Sequence, residues 1–269
     1  MKLTPNGIPV LELDEIGSTN AEAMRLGLGG AATPLWVRAE RQTAGRGRSG
    51  RAWMSEPGNH YASLLLHLPC SPTIIHHLSF VAAVAVVAAI RRVAGLASSA
   101  SSAIAAKALR PQLALRLKWP NDILLDGAKL VGILPESTQR LDQTMLAVIG
   151  IGINLAHAPD QLGRATTYLA AHDIEVSPAT MLDALAVEMS QALLLWGNGA
   201  GFATIRDLWL ANALPLGTGM SVHTGHDNID GTFAGLDCDG ALILRDHSGY
   251  DRRMTFGDVT VNAAESGRG

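Results

Sequence analysis

Apolar and polar residues alternate along IPVLELD (8–14) and HYASLLLHL (60–68) as they do in strands, and PLWVRAE (34–40) reads as another strand between them. Between the first two, Gly17-Ser18-Thr19-Asn20 supplies N-cap groups for a helix over AEAMRLGL, which Gly29-Gly30 ends. Ser71-Pro72 combines an N-cap with a first-turn proline and predicts an apolar helix running to about Gly95. LALRLK (113–118) reads as a strand leading into WPND, ILLDGAKLVGIL (123–134) as a hairpin about Asp126-Gly127, and TMLAVIGIGINL (144–155) as a buried strand. After Ser177-Pro178 the spacing turns helical over 179–196 and again over 201–213.

From Leu214 onward the chain breaks into five short strand-like pieces separated by turn residues, which predicts a small β-barrel. The expected organisation is therefore two units, 1–213 and 214–269. In the first, strands in sequence with inserted helices point to an α+β fold, a mixed β-sheet with helices packed on it.

Composition narrows the function classes. Of 269 residues, 48% are hydrophobic and 17% charged, with a net charge of −3, so a packed globular protein is expected and nucleic acid is not an expected partner. Cys70 and Cys238 lack ligand spacing and give no disulfide framework. MKLTPNGIPV has no secretory signal, so a cytoplasmic protein is expected. The longest apolar run, FVAAVAVVAAI (80–90), is followed by Arg91-Arg92 and falls short of the roughly 20 residues needed to span a bilayer, so it is expected as a buried helix with no membrane partner. LASSASSAIAAKALRPQ (96–112) is low-complexity and reads as a helix extension or surface insertion without chemistry.

The most specific segment is GRGRSGRAW (45–53), in which Gly45, Gly47 and Gly50 loosen the backbone while Arg46, Arg48 and Arg51 carry three fixed charges. Guanidinium groups pair with carboxylates and phosphates through paired hydrogen bonds, so a loop of this kind is suited to closing over an anion and to being disordered without one. Its glycine spacing, followed by a strand, differs from dinucleotide and kinase fingerprints. An RNA-contacting Arg-Gly segment is the bland alternative, poorly supported by the acidic net charge. KWPND (118–122) and KLVGILPE (129–136) place a lysine on each side of a turn and hairpin, so Lys118 and Lys129 can face one cleft. Only four of the 21 basic residues are lysines, and these are two of them. Glycines in IGIGIN (149–154) imply close approach by a ligand or another backbone. The histidines, including His76-His77, His223 and His226, lack the companions of a zinc site.

Taken together, STN (18–20), RQTAGRGRSGRAW (41–53), KWPND, KLVGILPE and GIGIN (150–154) resemble the biotin protein ligase family in motif, order and spacing. Gly17 departs from the acidic residue common there. The resemblance implies a catalytic domain related to class II aminoacyl-tRNA synthetases and a C-terminal SH3-like barrel. It implies ATP and biotin as substrates with Mg²⁺, formation of biotinyl-AMP, and transfer of biotin to a lysine of a biotin carboxyl carrier protein of acetyl-CoA carboxylase or a related carboxylase. Many bacterial relatives carry an N-terminal DNA-binding domain of about sixty residues; with only 17 residues before Ser18, a ligase without repressor activity is expected here.

By the same resemblance, Arg46, Arg48 and Lys129 would be catalytic, surrounding the biotin carboxylate and the phosphates. Biotin would also meet Ser18, Thr19, Asn20, Gln42, Gly45, Gly132 and Gly150. Nucleotide would meet Arg48, Arg51, Trp53, Lys118, Asn121, Asp122, Lys129 and Asn154, with Mg²⁺ near Asp122. Helix capping alone would also account for Ser18 to Asn20. A lipoate ligase-like acyl-adenylate enzyme and a non-catalytic biotinyl-AMP binder are the alternatives. A biotin carrier is disfavoured because the Met1-Lys2 pair sits at the terminus. A homodimer stays open.

Overall fold

Eight strands form, all but the two-residue β1 in stretches that the sequence marks: β1 (Lys2–Leu3), β2 (Pro9–Ile16), β3 (Leu35–Gln42), β4 (His60–Leu68), β5 (Leu115–Lys118), β6 (Asp122–Leu125), β7 (Ala128–Gln139) and β8 (Met145–Ile153). The computed structural model describes residues 2–100, 113–159 and 165–262, so most of the Ala- and Ser-rich stretch lies outside the described residues. The eight strands form one sheet in the order β1-β2-β3-β4-β8-β7-β6-β5. Only β2 and β3 pair in parallel, because α1 (Thr19–Leu28) crosses over between them; every other neighbour is antiparallel.

Two cores form on the two faces. Under α1, Ala23 meets Leu35, Val37, Leu65, Leu146 and Val148. The larger core lies under α2 (His77–Ala100), α3 (Pro178–Trp196) and α4 (Phe202–Ala211), with Trp36, Leu64, Ile90, Leu185 and Trp209 all at most 1% exposed. Each such side chain contributes about 1.5–3 kcal/mol by leaving water.

Three expectations shift. Ser71-Pro72 caps a short 3₁₀ turn, Pro72–Ile74, and α2 begins later, at His77, whose ring stacks on Phe202 at 3.5 Å and accepts from Trp196 Nε1. Tertiary contact therefore sets the helix start. The helix is also longer than its 11-residue apolar run: by length and composition His77–Gly95 could cross a bilayer, yet 61% of it is buried within the protein. Finally, β7 continues past residue 134 because it pairs with β8 from Val131↔Ile153 to Gln139↔Met145.

The C-terminal strands β9 (Gly219–His223), β10 (Asn228–Leu236), β11 (Leu242–Arg245), β12 (Asp251–Met254) and β13 (Asp258–Val261) form an antiparallel sheet in the order β12-β11-β10-β9-β13. Its edge strands β12 and β13 do not pair with each other, so the hydrogen bonds do not close a barrel. Met220, Val222, Phe233, Leu242 and Leu244 join the larger core, and Trp119 Nε1 donates to Gly240 O at 3.1 Å. This packing sets the start of β13 against the turn between β5 and β6.

Candidate active site

A cleft of about 660 Å³ opens where α1, the 42–55 loop, the hairpin of β6 and β7, strand β8 and β13 converge. The loop is itself a small hairpin. Gln42 bridges Ser55, Arg46 bridges Ala52, and Trp53 N donates to Gly45 O at 2.9 Å. At its tip Ser49 and Gly50 have φ of 55° and 72°, the left-handed values that turn the chain back. In this hairpin each arginine finds an internal acceptor: Arg46 reaches Glu136 at 3.3 Å, Arg51 reaches Asp258 at 2.6 Å, and Arg48 donates to Gly257 O at 2.9 Å.

One end of the cleft is neutral and hydrogen-bonding. Ser18 caps α1 through Ala21 N while lining the cleft, so capping and site roles coexist at this position. Thr19 N and Oγ1 both donate to Gln42 Oε1, at 2.8 and 3.1 Å, and Gln42 Nε2 donates to Ser55 Oγ at 2.9 Å. Because Thr19 N can only donate, the orientation of the Gln42 amide is fixed. Asn20 Nδ2 donates to Leu134 O at 3.0 Å and Glu136 Oε2 at 2.7 Å, which fixes the second amide. Ser63, fully buried on β4, lies 2.8 Å from Thr19 Oγ1 and 2.6 Å from Asn20 Oδ1.

The other end is cationic. Asp122 accepts from both lysines, Lys118 at 2.9 Å through Oδ2 and Lys129 at 2.5 Å through Oδ1, which brings the two to one point as their spacing predicts. Burial alone would push the Asp122 carboxyl up, but Lys129 and Lys118 outweigh it and hold it at about 2. Lys118 also donates to Val259 O at 2.9 Å, and Lys129 Nζ sits 5.3 Å from the Trp53 ring centre. Arg48 Nη1 lies 3.3 Å from Asn121 Oδ1; burial pushes its guanidinium down, offset in part by Asp258 and Asp122.

Most of the residues expected at the site line this one cleft: Ser18, Thr19, Asn20, Gln42, Arg46, Arg48, Arg51, Trp53, Lys118, Asn121, Asp122, Lys129, Gly132 and Gly150. Two do not. Gly45 lies beneath the loop, where an added Cβ would fall 2.5 Å from Trp53 O, so its role is to let the hairpin close. Asn154 is buried, donates to Thr167 O at 3.0 Å, and lines a separate small cavity with Trp53 and Lys129. The glycines of β7 and β8 are approached by side chains rather than backbone: a Cβ on Gly132 or Gly152 would strike the Trp53 indole, and one on Gly150 the Asn20 amide. Sequence reasoning missed Ser63, Ser55, Glu136 and Asp258. Glu136 stands within a quoted motif; the other three reach the site through strand pairing and loop packing, which carry no local signal.

A profile of the Biotin/lipoate A/B protein ligase family matches residues 15–154, which contain the loop, both lysines and the glycine strand. The biotin--[acetyl-CoA-carboxylase] ligase of Paracoccus denitrificans is 40% identical over 242 residues, spanning 86% of this chain and 92% of that protein. The chain belongs to the biotin protein ligases of this family. Another relative, the bifunctional ligase/repressor BirA of Bacillus subtilis, is 33% identical over 249 residues, covering 89% of this chain and 70% of its own. Among solved structures, a biotin protein ligase from Aquifex aeolicus in complex with biotin and ATP superposes with a TM-score of 0.74 over 94% of this chain and 99% of that one, at 23% identity. That likeness confirms the mixed sheet with packed helices as the fold of a biotin protein ligase catalytic region.

Proposed function

We propose that the protein is a biotin--[acetyl-CoA-carboxylase] ligase, which condenses biotin with ATP to biotinyl-AMP and pyrophosphate and then passes biotin to a lysine of a biotin carboxyl carrier protein. The observation that carries this reading is the polarity of the cleft. Neutral, orientation-fixed hydrogen-bonding groups stand at one end and Arg48, Arg51, Lys118 and Lys129 at the other, while Arg46 reaches Glu136 beside Asn20. Biotin has the matching asymmetry, a neutral ureido ring at one end and a carboxylate at the other.

In the first step a carboxylate oxygen bonds to the α-phosphorus and the bond to pyrophosphate breaks. Both reactants are anionic, so fixed cations are needed to bring them together and to stabilise charge as it develops. Lys129 and Arg48, both more buried than Arg46 and Arg51, are suited to this, and Arg46 and Arg51 close over the reactants. Asp122 orients the two lysines. Trp53, flanked by Gly132 and Gly152, offers an indole face to adenine, and its Nε1 is buried with no hydrogen-bond partner among the described residues. In the second step the carrier lysine amine attacks the acyl carbon and AMP leaves. A closed loop protects the mixed anhydride from water in the interval.

Mg²⁺ does not fit as a resident metal of this chain. Among the described residues no three His, Cys, Asp or Glu side chains gather to hold one, and Asp122, expected beside it, commits both oxygens to lysines. A magnesium ion is read as arriving with the nucleotide phosphates. We further read 1–213 as the catalytic domain and 214–269 as an SH3-like barrel, supported by the five-stranded order β12-β11-β10-β9-β13.

The test is exchange of labelled pyrophosphate into ATP, with biotin, lipoate and octanoate in parallel. Exchange with biotin alone is expected. Exchange with lipoate would move the protein to the lipoate branch, and none with any acid would make it a binder.

A further inference from the structure

Glu136 stands on β7 outside the set of groups that face the substrate, with one carboxylate oxygen committed in each direction. Oε2 accepts from Asn20 Nδ2 at 2.7 Å, and Oε1 is 3.3 Å from Arg46 Nη2. The two contacts differ in weight. Arg46 is about half exposed and its contact is long, so solvent screens most of that interaction. Asn20 is only 4% exposed, and its hydrogen bond to a carboxylate is short and sheltered.

The Asn20 amide is thereby saturated on its donor side. Its two Nδ2 hydrogens go to Leu134 O and to Glu136, while Oδ1 faces Ser63 over Gly150, where any Cβ would collide with it. Turning the amide over would set Oδ1 against the Leu134 carbonyl and the Glu136 carboxylate, two acceptors at once.

We propose that Glu136 is a positioning residue for the neutral end of the cleft: it locks Asn20 so that this amide keeps both N–H groups committed and its oxygen on Ser63, and turns no N–H donor toward a bound ring. A lining side chain locked in this way has only acceptor capacity left, the second lone pair of Oδ1, which suits a ring that donates N–H as the biotin ureido group does. This inference rests on the ligase reading above and adds the residue that holds Asn20 in place.

The experiment compares wild type, Glu136→Ala and Glu136→Gln in pyrophosphate exchange, with KM measured separately for biotin and ATP, and biotin binding measured by calorimetry without nucleotide. Gln keeps a carbonyl acceptor for Asn20 but removes the charge facing Arg46. Expected for Glu136→Ala is a rise of about tenfold or more in both the KM and the Kd for biotin, the loss of one charged hydrogen bond, with the KM for ATP unchanged. Glu136→Gln is expected to recover most of that loss. An unchanged biotin KM in Glu136→Ala overturns the proposal. So does a Gln variant as impaired as Ala, which would assign Glu136 to the Arg46 contact instead. Wild type that exchanges with no biotin present or with lipoate alone overturns the ligase reading itself, and this inference with it.

Discussion

Asp258 Oδ1, on the first residue of β13, lies 2.6 Å from Arg51 Nη2 in the Arg-Gly loop. Its neighbours extend the contact: Gly257 O accepts from Arg48 and Val259 O from Lys118. One short segment of the C-terminal unit therefore holds three of the cations at the cationic end of the cleft. The half-exposed Arg51 pair is worth at most about 1 kcal/mol, so Asp258→Ala should loosen the loop without unfolding the protein. Trypsin cuts after arginine, and the loop contains three. The expected result is cleavage at Arg46, Arg48 or Arg51 accelerated about two- to fivefold in the ligand-free protein. Equal digestion rates for wild type and variant would show that β13 does not hold the loop.

Lys129 and Asp122 form a buried pair whose two members should fail differently. Lys129→Ala removes a charge from the point where the phosphates are expected, and the adenylation step should slow by about 2–4 kcal/mol in a single-turnover measurement. Asp122→Ala leaves Lys118 and Lys129 facing each other without their counter-ion, so stability should fall by about 3–5 kcal/mol as well. Chemical denaturation separates the two. An Asp122→Ala midpoint equal to that of wild type would mean the lysines are held apart by something else.

The sequence and the structure agree where side-chain period carries the information. Strand β4 spans His60–Leu68, the stretch that alternation marks, and the Lys118 and Lys129 spacing does bring both amines to one carboxylate. Period is silent about partners. Ser63 reads as one more residue of a buried strand, and becomes part of the site only because β4 pairs with β8 so that Ser63 stands opposite Gly150, beneath Asn20. Asp258 is separated from the loop by about two hundred residues, and only the packing of the C-terminal sheet brings them together. The glycines of β8 were legible as places of close approach; that the approaching groups are Trp53 and Asn20 follows from the hairpin of the loop and the placement of α1, which no local pattern encodes.

Gly132 and Gly152 test the seat of Trp53. A Cβ at either position would lie 2.7 or 2.6 Å from indole atoms, closer than any side chain tolerates, so Ala there must push the ring toward the cleft. The expected cost in stability is about 1–3 kcal/mol, as for other overpacked sites. The more informative expectation is kinetic. If the indole is the adenine platform, Gly152→Ala should raise the KM for ATP in pyrophosphate exchange and leave the KM for biotin alone, since Asn20, Gln42 and Ser63 sit at the other end. A rise confined to biotin would remove Trp53 from the nucleotide end.

His60 predicts an acid-sensitive fold. It is fully buried on β4, its Nδ1 is 3.4 Å from Pro178 O, and its Nε2 has no partner among the described residues. Burial lowers its pKa from 6.5 to about 4; the Pro178 carbonyl opposes the shift and Arg38 adds to it. As pH falls below 6.5 the unfolded chain takes up a proton that the folded His60 refuses, so stability declines between about pH 6.5 and pH 4 and levels off below. A shift of this size corresponds to roughly 3 kcal/mol. His77, which burial also lowers to about 4, acts in the same direction, so His60→Phe should flatten the profile only in part. Urea midpoints measured from pH 7.5 to pH 4 check this. A variant whose midpoint falls as steeply as wild type would mean that folded His60 takes up its proton at the same pH as the unfolded chain.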